Sequence, residues 1–305
     1  MTQSGENLSR IKIWMLAIRP KTLPAAVGSV VMGTALAIGD GVFNFGPAAA
    51  ALAAALLLQI GSNLANDVFD FIKGTDTKER TGPVRVTQAG LLTPRQVKGG
   101  MWTVFSLAFL LGTYLTWVGG WPIFVIGILA IIAAIAYTGG PYPLGYHGFG
   151  EILVFIFFGP AAVCGTYYVQ ALELNRVVWW ASLPMGFLIA ALLVVNNIRD
   201  IETDGTAGKK TVAVRLGLFG AQMEYYLLLA VSMAVPLVMC VYGQTSAWIL
   251  VSWLSVLLIP QLVRDVRTKR GVPLNATLAG TARLGLVFSI LFSMGYLLDK
   301  LFHLN

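Results

Sequence analysis

Acidic and amide side chains recur at helical spacing in two separate parts of the sequence. The first group, Asn63, Asn66, Asp67 and Asp70, closes the apolar run Pro47–Leu64. Steps of three or four residues place these side chains on one face of an α-helix, provided that the helix continues through the group. Carboxylates one turn apart repel each other by about a few tenths of a kcal/mol. We therefore expect a bound cation to compensate these charges.

The second group, Asn196, Asp200 and Asp204, follows the apolar run Val177–Val195 and repeats at intervals of four residues. Both groups offer carboxylate and amide oxygens, and neither contains His or Cys, which favours a hard cation, Mg²⁺ with Ca²⁺ as the alternative, over a transition metal. In proteins, Mg²⁺ is commonly held by one or two carboxylates together with the phosphates of a substrate.

Basic residues lie close in sequence to both acidic groups. Lys73 and Arg85 follow the first group, and Arg199 and Lys209 lie within or after the second. Lys and Arg side chains bind phosphate oxygens, and Arg binds them bidentately. Acids and bases interleaved in this way predict a Mg²⁺–diphosphate site, in which Asn66 also contacts the diphosphate. The alternative for each basic residue is an ordinary solvated loop position.

The composition indicates which elements must position these groups. Hydrophobic residues make up 57% of the 305 residues and charged residues 11%, against roughly 25% charged residues in a soluble domain. The chain contains nine apolar runs of the length that a bilayer requires. They predict an all-α, polytopic transmembrane helical bundle with nine transmembrane helices, forming a single domain over residues 1–305. The runs are Thr22–Ile38, Pro47–Leu64, Gly100–Val118, Pro122–Tyr137, Ile152–Leu172, Val177–Val195, Met223–Val241, Ala247–Val263 and Leu278–Leu298.

The distribution of Lys and Arg predicts the orientation. With nine spans, 19 of the 21 basic residues fall on the side of the amino terminus, and only Arg176 and Lys300 fall opposite. By the positive-inside rule that side is cytoplasmic. We expect a multi-pass protein of the bacterial cytoplasmic (inner) membrane with its site on the cytoplasmic side. The net charge of +7 then reports topology and lipid-bilayer contact, and it gives no reason to expect a nucleic-acid partner.

The two acidic groups resemble the paired motifs of the UbiA superfamily of intramembrane prenyltransferases, which read N-D-x-x-D-x-x-x-D and D-x-x-x-D. Asp200 and Asp204 match the second motif. Asn66, Asp67 and Asp70 match the first, but Gly74 stands at its last position and the next acid is Asp76. The resemblance implies nine transmembrane helices and transfer of a prenyl group from a polyprenyl diphosphate. It implies Asp67, Asp70, Asp200 and Asp204 as catalytic residues, and it adds Asp76 and Asn196 to these four as Mg²⁺ ligands.

The displaced acid at Asp76 resembles the menaquinone-pathway branch of that superfamily. So do Arg19-Pro20-Lys21-Thr22-Leu23, Gly82-Pro83-Val84-Arg85 and Gly208-Lys209-Lys210-Thr211. The 4-hydroxybenzoate branch typically carries Y-P-x-x-K-R, whereas here Tyr142-Pro143 is followed by Leu144-Gly145-Tyr146-His147. The resemblance implies 1,4-dihydroxy-2-naphthoate as the acceptor, loss of CO₂ and diphosphate, and demethylmenaquinone as the product.

Three further residues are candidates for substrate binding. Tyr137 and Tyr142 offer ring faces that attract a cation or stack on the acceptor, although an interfacial aromatic belt is the alternative. Glu151 is a candidate acid or base, and a helix-capping role is the alternative. Two other functions stay open from the sequence: a related enzyme that uses 4-hydroxybenzoate or homogentisate, and a secondary transporter, which also combines many spans with intramembrane acids.

Overall fold

The computed structural model describes residues 8–76 and 81–303, and within these ranges every regular element is a helix. The predicted all-α class is therefore confirmed. The helices, numbered here in chain order, are α1 Arg10–Ile18, α2 Leu23–Gly39, α3 Phe45–Ile72, α4 Pro94–Gly119, α5 Trp121–Ala136, α6 Gly150–Ala171, α7 Arg176–Arg199, α8 Ile201–Thr206, α9 Val212–Val241, α10 Ala247–Thr268 and α11 Leu274–His303.

Eight segments of the described chain are long and apolar enough to cross a membrane, with α1 and α2 counted as one. The ninth predicted span is α5, which has 16 residues. At 1.5 Å per residue it is about 24 Å long, shorter than a hydrocarbon core of about 30 Å. The nine predicted spans therefore correspond to eight full-length helices and one short apolar helix.

Local sequence determines several helix ends. Thr93 accepts a hydrogen bond from the backbone of Gln96 while the Gln96 side chain accepts one from Thr93, a reciprocal capping box at the start of α4. Gly120 joins α4 to α5 at φ 72° and ψ −165°, a conformation that glycine adopts readily. Pro160 lies in a π-helical segment of α6, Phe157–Cys164, because a proline cannot donate the regular α-helical hydrogen bond.

The core of the bundle is centred on α7, with α2, α9 and α11 packed around it. Met185 and Leu188 of α7, Tyr225 of α9 and Phe288 of α11 are completely buried in one cluster. Small residues allow α6 and α7 to approach closely, since a Cβ on Gly159 would lie 2.8 Å from the carbonyl oxygen of Ser182. This core holds the carboxyl end of α7, where the second acidic group begins.

At the opposite end of the bundle from Asp70, one carboxylate joins four helices. Asp40 follows α2 and accepts hydrogen bonds from Tyr296 Oη at 2.6 Å, Tyr167 Oη at 2.7 Å and Asn175 Nδ2 at 2.9 Å. Lys300 Nζ lies 2.8 Å from the same carboxylate. Burial by itself would raise the pKa of Asp40, but Lys300 and the two tyrosine hydroxyls together keep that pKa below its usual range. The network fixes α2 against α6, the start of α7 and α11.

Candidate functional site

A large cavity of about 1000 Å³ opens at the end of the bundle that carries the acidic groups. Along α3 it extends from Asp70 to Ala51, a distance of about 28 Å at 1.5 Å per residue. Its inner part is lined by apolar and small residues of α2 to α6, including the π-helical segment. Its outer part is lined by the polar side chains of α3, α7, α8 and the loops.

The first acidic group lies on a continuous helix, because α3 runs through it to Ile72. Asp70 lines the cavity and pairs with Arg85, whose Nη2 lies 2.6 Å from its carboxylate. Arg85 Nε lies 3.1 Å from Asp76, and another guanidinium nitrogen donates to the carbonyl of Asn66. Tyr146 donates to Asp70 from the loop before α6. Burial alone would lower the pKa of Arg85, but the carboxylates of Asp70, Asp76 and Asp67 raise it.

Asp67 has a different environment from the one that its sequence motif predicts. Its two carboxylate oxygens accept hydrogen bonds from the backbone amides of Val86 and Thr87, both at 3.0 Å. The side chain is 1% exposed and does not line the cavity. Arg19 Nη2 lies 3.9 Å away. In this geometry the Asp67 carboxylate joins the loop that carries Arg85 to α3, and metal ligation by Asp67 stays a prediction.

The second acidic group is not on one continuous helix. The α-helical geometry of α7 ends at Arg199, Asp200 adopts φ −99° and ψ 9°, and Asp204 lies on the short helix α8. The hydrogen bond from Asp204 N to Asp200 O, at 2.8 Å, keeps both residues in register. Both line the cavity, so the predicted shared face is retained across the break.

Each acid of this second group contacts a basic side chain. Arg199 binds the Asp200 carboxylate bidentately, with Nε at 2.8 Å and Nη2 at 2.5 Å, and it also donates to Asn196 and Asn275. Lys209 Nζ lies 3.1 Å from Asp204. Burial raises the pKa of Asp204, and Lys209 opposes that shift.

Most of the predicted site residues line the one cavity. They are Asn66, Asp70, Arg85, Tyr137, Asn196, Arg199, Asp200, Asp204 and Lys209. Five others lie outside its wall: Asp67, Lys73, Asp76, Tyr142 and Glu151. Asp76 and Glu151 still contact residues of the wall, namely Arg85 and Asn197. The structure thus brings nine of the predicted residues together in one cavity wall. Asp76 and Glu151 lie behind that wall and contact it.

Two of the outlying residues are engaged in the loop before α6. Lys73 Nζ donates to the carbonyl of Gly140 at 2.8 Å and lies 5.3 Å from the centre of the Tyr146 ring. Burial lowers the pKa of Lys73. Tyr142 is 55% exposed and stacks on His147 at 3.6 Å between ring centres. Neither position contributes a group to the cavity wall.

Three residues of the cavity wall had no site role predicted from the sequence: Arg19, Asn197 and Asn275. Asn275 accepts from Arg199 and donates to the carbonyl of Thr81 at 3.1 Å, which joins α11 to the loop after α3. Arg19 adopts a left-handed conformation at φ 56°, which costs a non-glycine residue about 1–3 kcal/mol. The sequence signals at this position were Pro20, since a proline disfavours right-handed helical geometry in the preceding residue, and the resemblance of Arg19-Pro20-Lys21-Thr22-Leu23 to the menaquinone-pathway branch.

The donor set of the cavity wall fits a hard divalent cation together with an anion. Its metal-binding groups are carboxylate and amide oxygens, which suit Mg²⁺. Among the described residues that line it there are five basic and three acidic side chains, a surplus of two positive charges that complements an anionic ligand. No group of three or more His, Cys, Asp or Glu side chains in the described ranges is already clustered as a metal site. The carboxylates instead contact the neighbouring Arg and Lys side chains.

The sequence matches the model of the UbiA prenyltransferase family over residues 26–279. It is 37% identical to the 1,4-dihydroxy-2-naphthoate octaprenyltransferase of Escherichia coli (strain K12), over 97% of this chain and 98% of that relative. It is 41% identical to the enzyme of the same name from Mycobacterium tuberculosis, over 85% of this chain and 87% of the relative.

Solved structures agree on the fold. The apo structure of a UbiA homologue from Aeropyrum pernix matches with a TM-score of 0.65 at 18% identity, over 96% of this chain and 99% of that one. A UbiA homologue from Archaeoglobus fulgidus, solved with GPP and Mg²⁺, matches with a TM-score of 0.63 at 14% identity, over 92% and 99% of the two chains. The chain is a multi-pass membrane protein, and by sequence and by fold it belongs to the UbiA prenyltransferase family.

Proposed function

We propose that this protein transfers a polyprenyl group from a polyprenyl diphosphate to 1,4-dihydroxy-2-naphthoate, releasing CO₂ and diphosphate. The observation that carries this proposal is the 37% to 41% identity, over most of the chain, to relatives named for that reaction. The cavity supports it. The charged side chains of its outer part, here called the ionic end, match a diphosphate, the amides of Asn196 and Asn197 match a hydroxylated ring, and the long apolar inner part matches an isoprenoid tail. The family match favours this enzyme over the transporter.

We place the diphosphate at the ionic end of the cavity, held by Arg85, Arg199 and Lys209 with Asn66. Asp70, Asp200 and Asp204 would hold Mg²⁺, with Asn196 beside them. Asp76 lies outside the cavity wall and contacts Arg85. When bound, Mg²⁺ supplies electrostatic stabilisation of the departing diphosphate. Arg and Lys side chains that contact the carboxylates exchange partners when the substrate enters, so that the bases bind phosphate oxygens and the acids are released to the cation.

The residues of the cavity wall also favour the three bond changes of the reaction: cleavage of the allylic C–O bond, formation of the new C–C bond and loss of CO₂. The C–O bond of the allylic diphosphate breaks, and its electron pair leaves with the diphosphate between the basic side chains. The electron-rich ring then forms the new C–C bond, and the electron pair of the lost carboxyl group stays with the ring as CO₂ departs. Both hydroxyls are retained, so the immediate product is the quinol form of demethylmenaquinone. Tyr137 presents a ring to this part of the cavity and can stabilise the cation with its π-face.

The acceptor is tested by competition. Purified protein in detergent is supplied with octaprenyl diphosphate, Mg²⁺ and equal concentrations of 1,4-dihydroxy-2-naphthoate and 4-hydroxybenzoate. We expect the decarboxylated naphthalene product to dominate. The loop Tyr142–His147 lacks the Lys-Arg pair of the benzoate enzymes, so it lacks their charge-assisted hydrogen bonds to the acceptor carboxylate. Each such hydrogen bond is worth about 1.5–3 kcal/mol. Chelation of Mg²⁺ is expected to abolish turnover, and its restoration by added Mg²⁺ is the control. A dominant prenylated 4-hydroxybenzoate product would contradict the acceptor assignment.

We also propose that the ionic end of the cavity faces the cytoplasm across the inner membrane, as the distribution of basic residues predicts. In a cysteine-free background, Glu202→Cys in the exposed part of α8 is expected to resist a membrane-impermeant thiol reagent added to intact cells. Tyr242→Cys, at a 74% exposed position at the other end of the bundle, is expected to react. Lys78, another position for this test, lies outside the described residues. The reverse labelling pattern would overturn the orientation.

A further inference from the structure

Asn197 lies in the cavity wall where the ionic end meets the apolar part. The lining residues of α7 and α8 run from Asp204 and Asp200 through Asn197 to Leu193 and Ile189. Asn197 is three residues further into the bundle than Asp200, or about 4.5 Å along the helix axis. Leu193 begins the apolar wall one turn deeper. Asn197 is therefore at the level where an aromatic acceptor would meet the first carbon of an allylic diphosphate bound above it.

Glu151 fixes the orientation of the Asn197 side chain. Asn197 Nδ2 donates to Glu151 Oε1 at 2.7 Å, and both residues are buried, 6% and 8% exposed. A carboxylate only accepts hydrogen bonds, so it binds the NH₂ side of the amide and leaves Oδ1 on the other side. Among the described residues, the hydrogen bond recorded for the Asn197 side chain is the one from Nδ2 to Glu151. Oδ1 is not one of the buried atoms that lack a partner, and Asn197 lines the cavity, so this oxygen is available to a donor on a bound substrate.

The chemistry of the substrates identifies that donor. A metal-bound diphosphate and an isoprenoid tail carry no hydrogen-bond donor, whereas the hydroxyl groups of the aromatic acceptor do. Resting on the proposed function, we infer that Asn197 Oδ1 accepts a hydrogen bond from one hydroxyl of the acceptor, and that Glu151 is a positioning residue that holds the amide in this orientation. The hydrogen bond would hold the acceptor ring with its reacting carbon next to the first carbon of the allylic diphosphate. It would also discriminate against rings that lack that hydroxyl.

The first test separates the two substrates. In Asn197→Ala we expect the KM for 1,4-dihydroxy-2-naphthoate to rise about 10-fold, from the loss of one hydrogen bond to a buried partner. The KM for octaprenyl diphosphate should stay within about 2-fold, because that substrate makes no hydrogen bond to Asn197. A rise in the diphosphate KM with an unchanged acceptor KM would overturn the inference.

The positioning role of Glu151 is tested by two variants that differ in their ability to accept a hydrogen bond from Asn197 Nδ2. Glu151→Gln keeps an oxygen that accepts from Asn197 Nδ2, so its acceptor KM is expected to remain near that of the unaltered protein. Glu151→Leu removes the acceptor and releases the amide to rotate, so its acceptor KM should rise as in Asn197→Ala. Equal effects of both variants on the acceptor KM would contradict a positioning role.

A measurement on the unaltered protein guards against variants that fail to fold. The inhibition constants of 1-hydroxy-2-naphthoate and 4-hydroxy-2-naphthoate, which each lack one hydroxyl, are compared with the KM of the diol. We expect one analogue to bind about 10-fold more weakly and the other to bind nearly as well, since one hydroxyl contacts Asn197. Equal binding of both analogues and the diol would overturn the inference.

The outcomes separate this inference from the proposed function. If the unaltered protein prenylates a different hydroxylated aromatic compound, the naphthoate assignment fails and the same KM comparison is made with that compound. If it prenylates the naphthoate but Asn197→Ala leaves the acceptor KM unchanged, only the inference fails. If it prenylates no hydroxylated aromatic compound, both fail.

Discussion

Asp70→Asn and Asp204→Asn are each expected to lower kcat by about 100- to 1,000-fold, the range seen when one preorganised group is removed from a charged transition state. Asn retains the shape of Asp and can still accept the hydrogen bond from Tyr146 or Lys209, but it loses the charge that binds Mg²⁺. Raising the Mg²⁺ concentration should recover part of the activity. Both variants are expected to remain monodisperse in detergent.

The matched control for this prediction is Glu202→Gln. Glu202 is an exposed acid on α8, two residues from both Asp200 and Asp204, and it does not line the cavity. Its neutralisation removes the same charge from the same segment, so it separates metal ligation from a general change in local potential. We expect full activity from this variant. Activity of Asp70→Asn or Asp204→Asn equal to that of Glu202→Gln would exclude these residues as metal ligands.

Asp67→Asn is expected to have the opposite effect, reducing stability more than the activity of the folded enzyme. Asn offers one acceptor oxygen in place of two, so one of the buried amides of Val86 and Thr87 loses its partner. The cost of an unsatisfied buried group is about 1–3 kcal/mol. Thermal unfolding in detergent should shift down by several degrees for a change of that size, and the loop with Arg85 should become more sensitive to proteolysis.

The measurement that distinguishes these roles is the Mg²⁺ dependence of activity at a temperature where Asp67→Asn is folded. If Asp67 supports the loop, the Mg²⁺ concentration for half-maximal activity should stay within about 2-fold of the unaltered value, whereas Asp70→Asn should raise it by at least 10-fold. A large rise in the Mg²⁺ requirement of Asp67→Asn with no loss of thermal stability would restore it as a metal ligand and refute the structural role.

The sequence by itself determined the helical elements and predicted the chemistry of the site. Long apolar runs have one stable form in a bilayer that is compatible with this composition, the hydrogen-bonded helix, so the membrane fold followed directly from the runs. The spacing of Asp70, Asp200 and Asp204, together with Lys and Arg nearby, predicted a cation–diphosphate site before any contact was known. The helical membrane fold is confirmed, because periodicity and residue type are local properties of the chain, and the cation–diphosphate site stays a prediction.

The tertiary structure alone decided which acid of the first motif faces the cavity. Asp67 and Asp70 lie three residues apart on α3 and share a face by periodicity, yet one contacts the backbone of Val86 and Thr87 and the other lines the cavity. The difference depends on where the loop after α3 returns, and that return is held both by Asp67 and by Arg85, which bridges Asp70 and Asp76. Asn197 was missed for the same reason. Its orientation depends on Glu151, 46 residues away in the chain, and such long-range partners leave no periodic signal in the sequence.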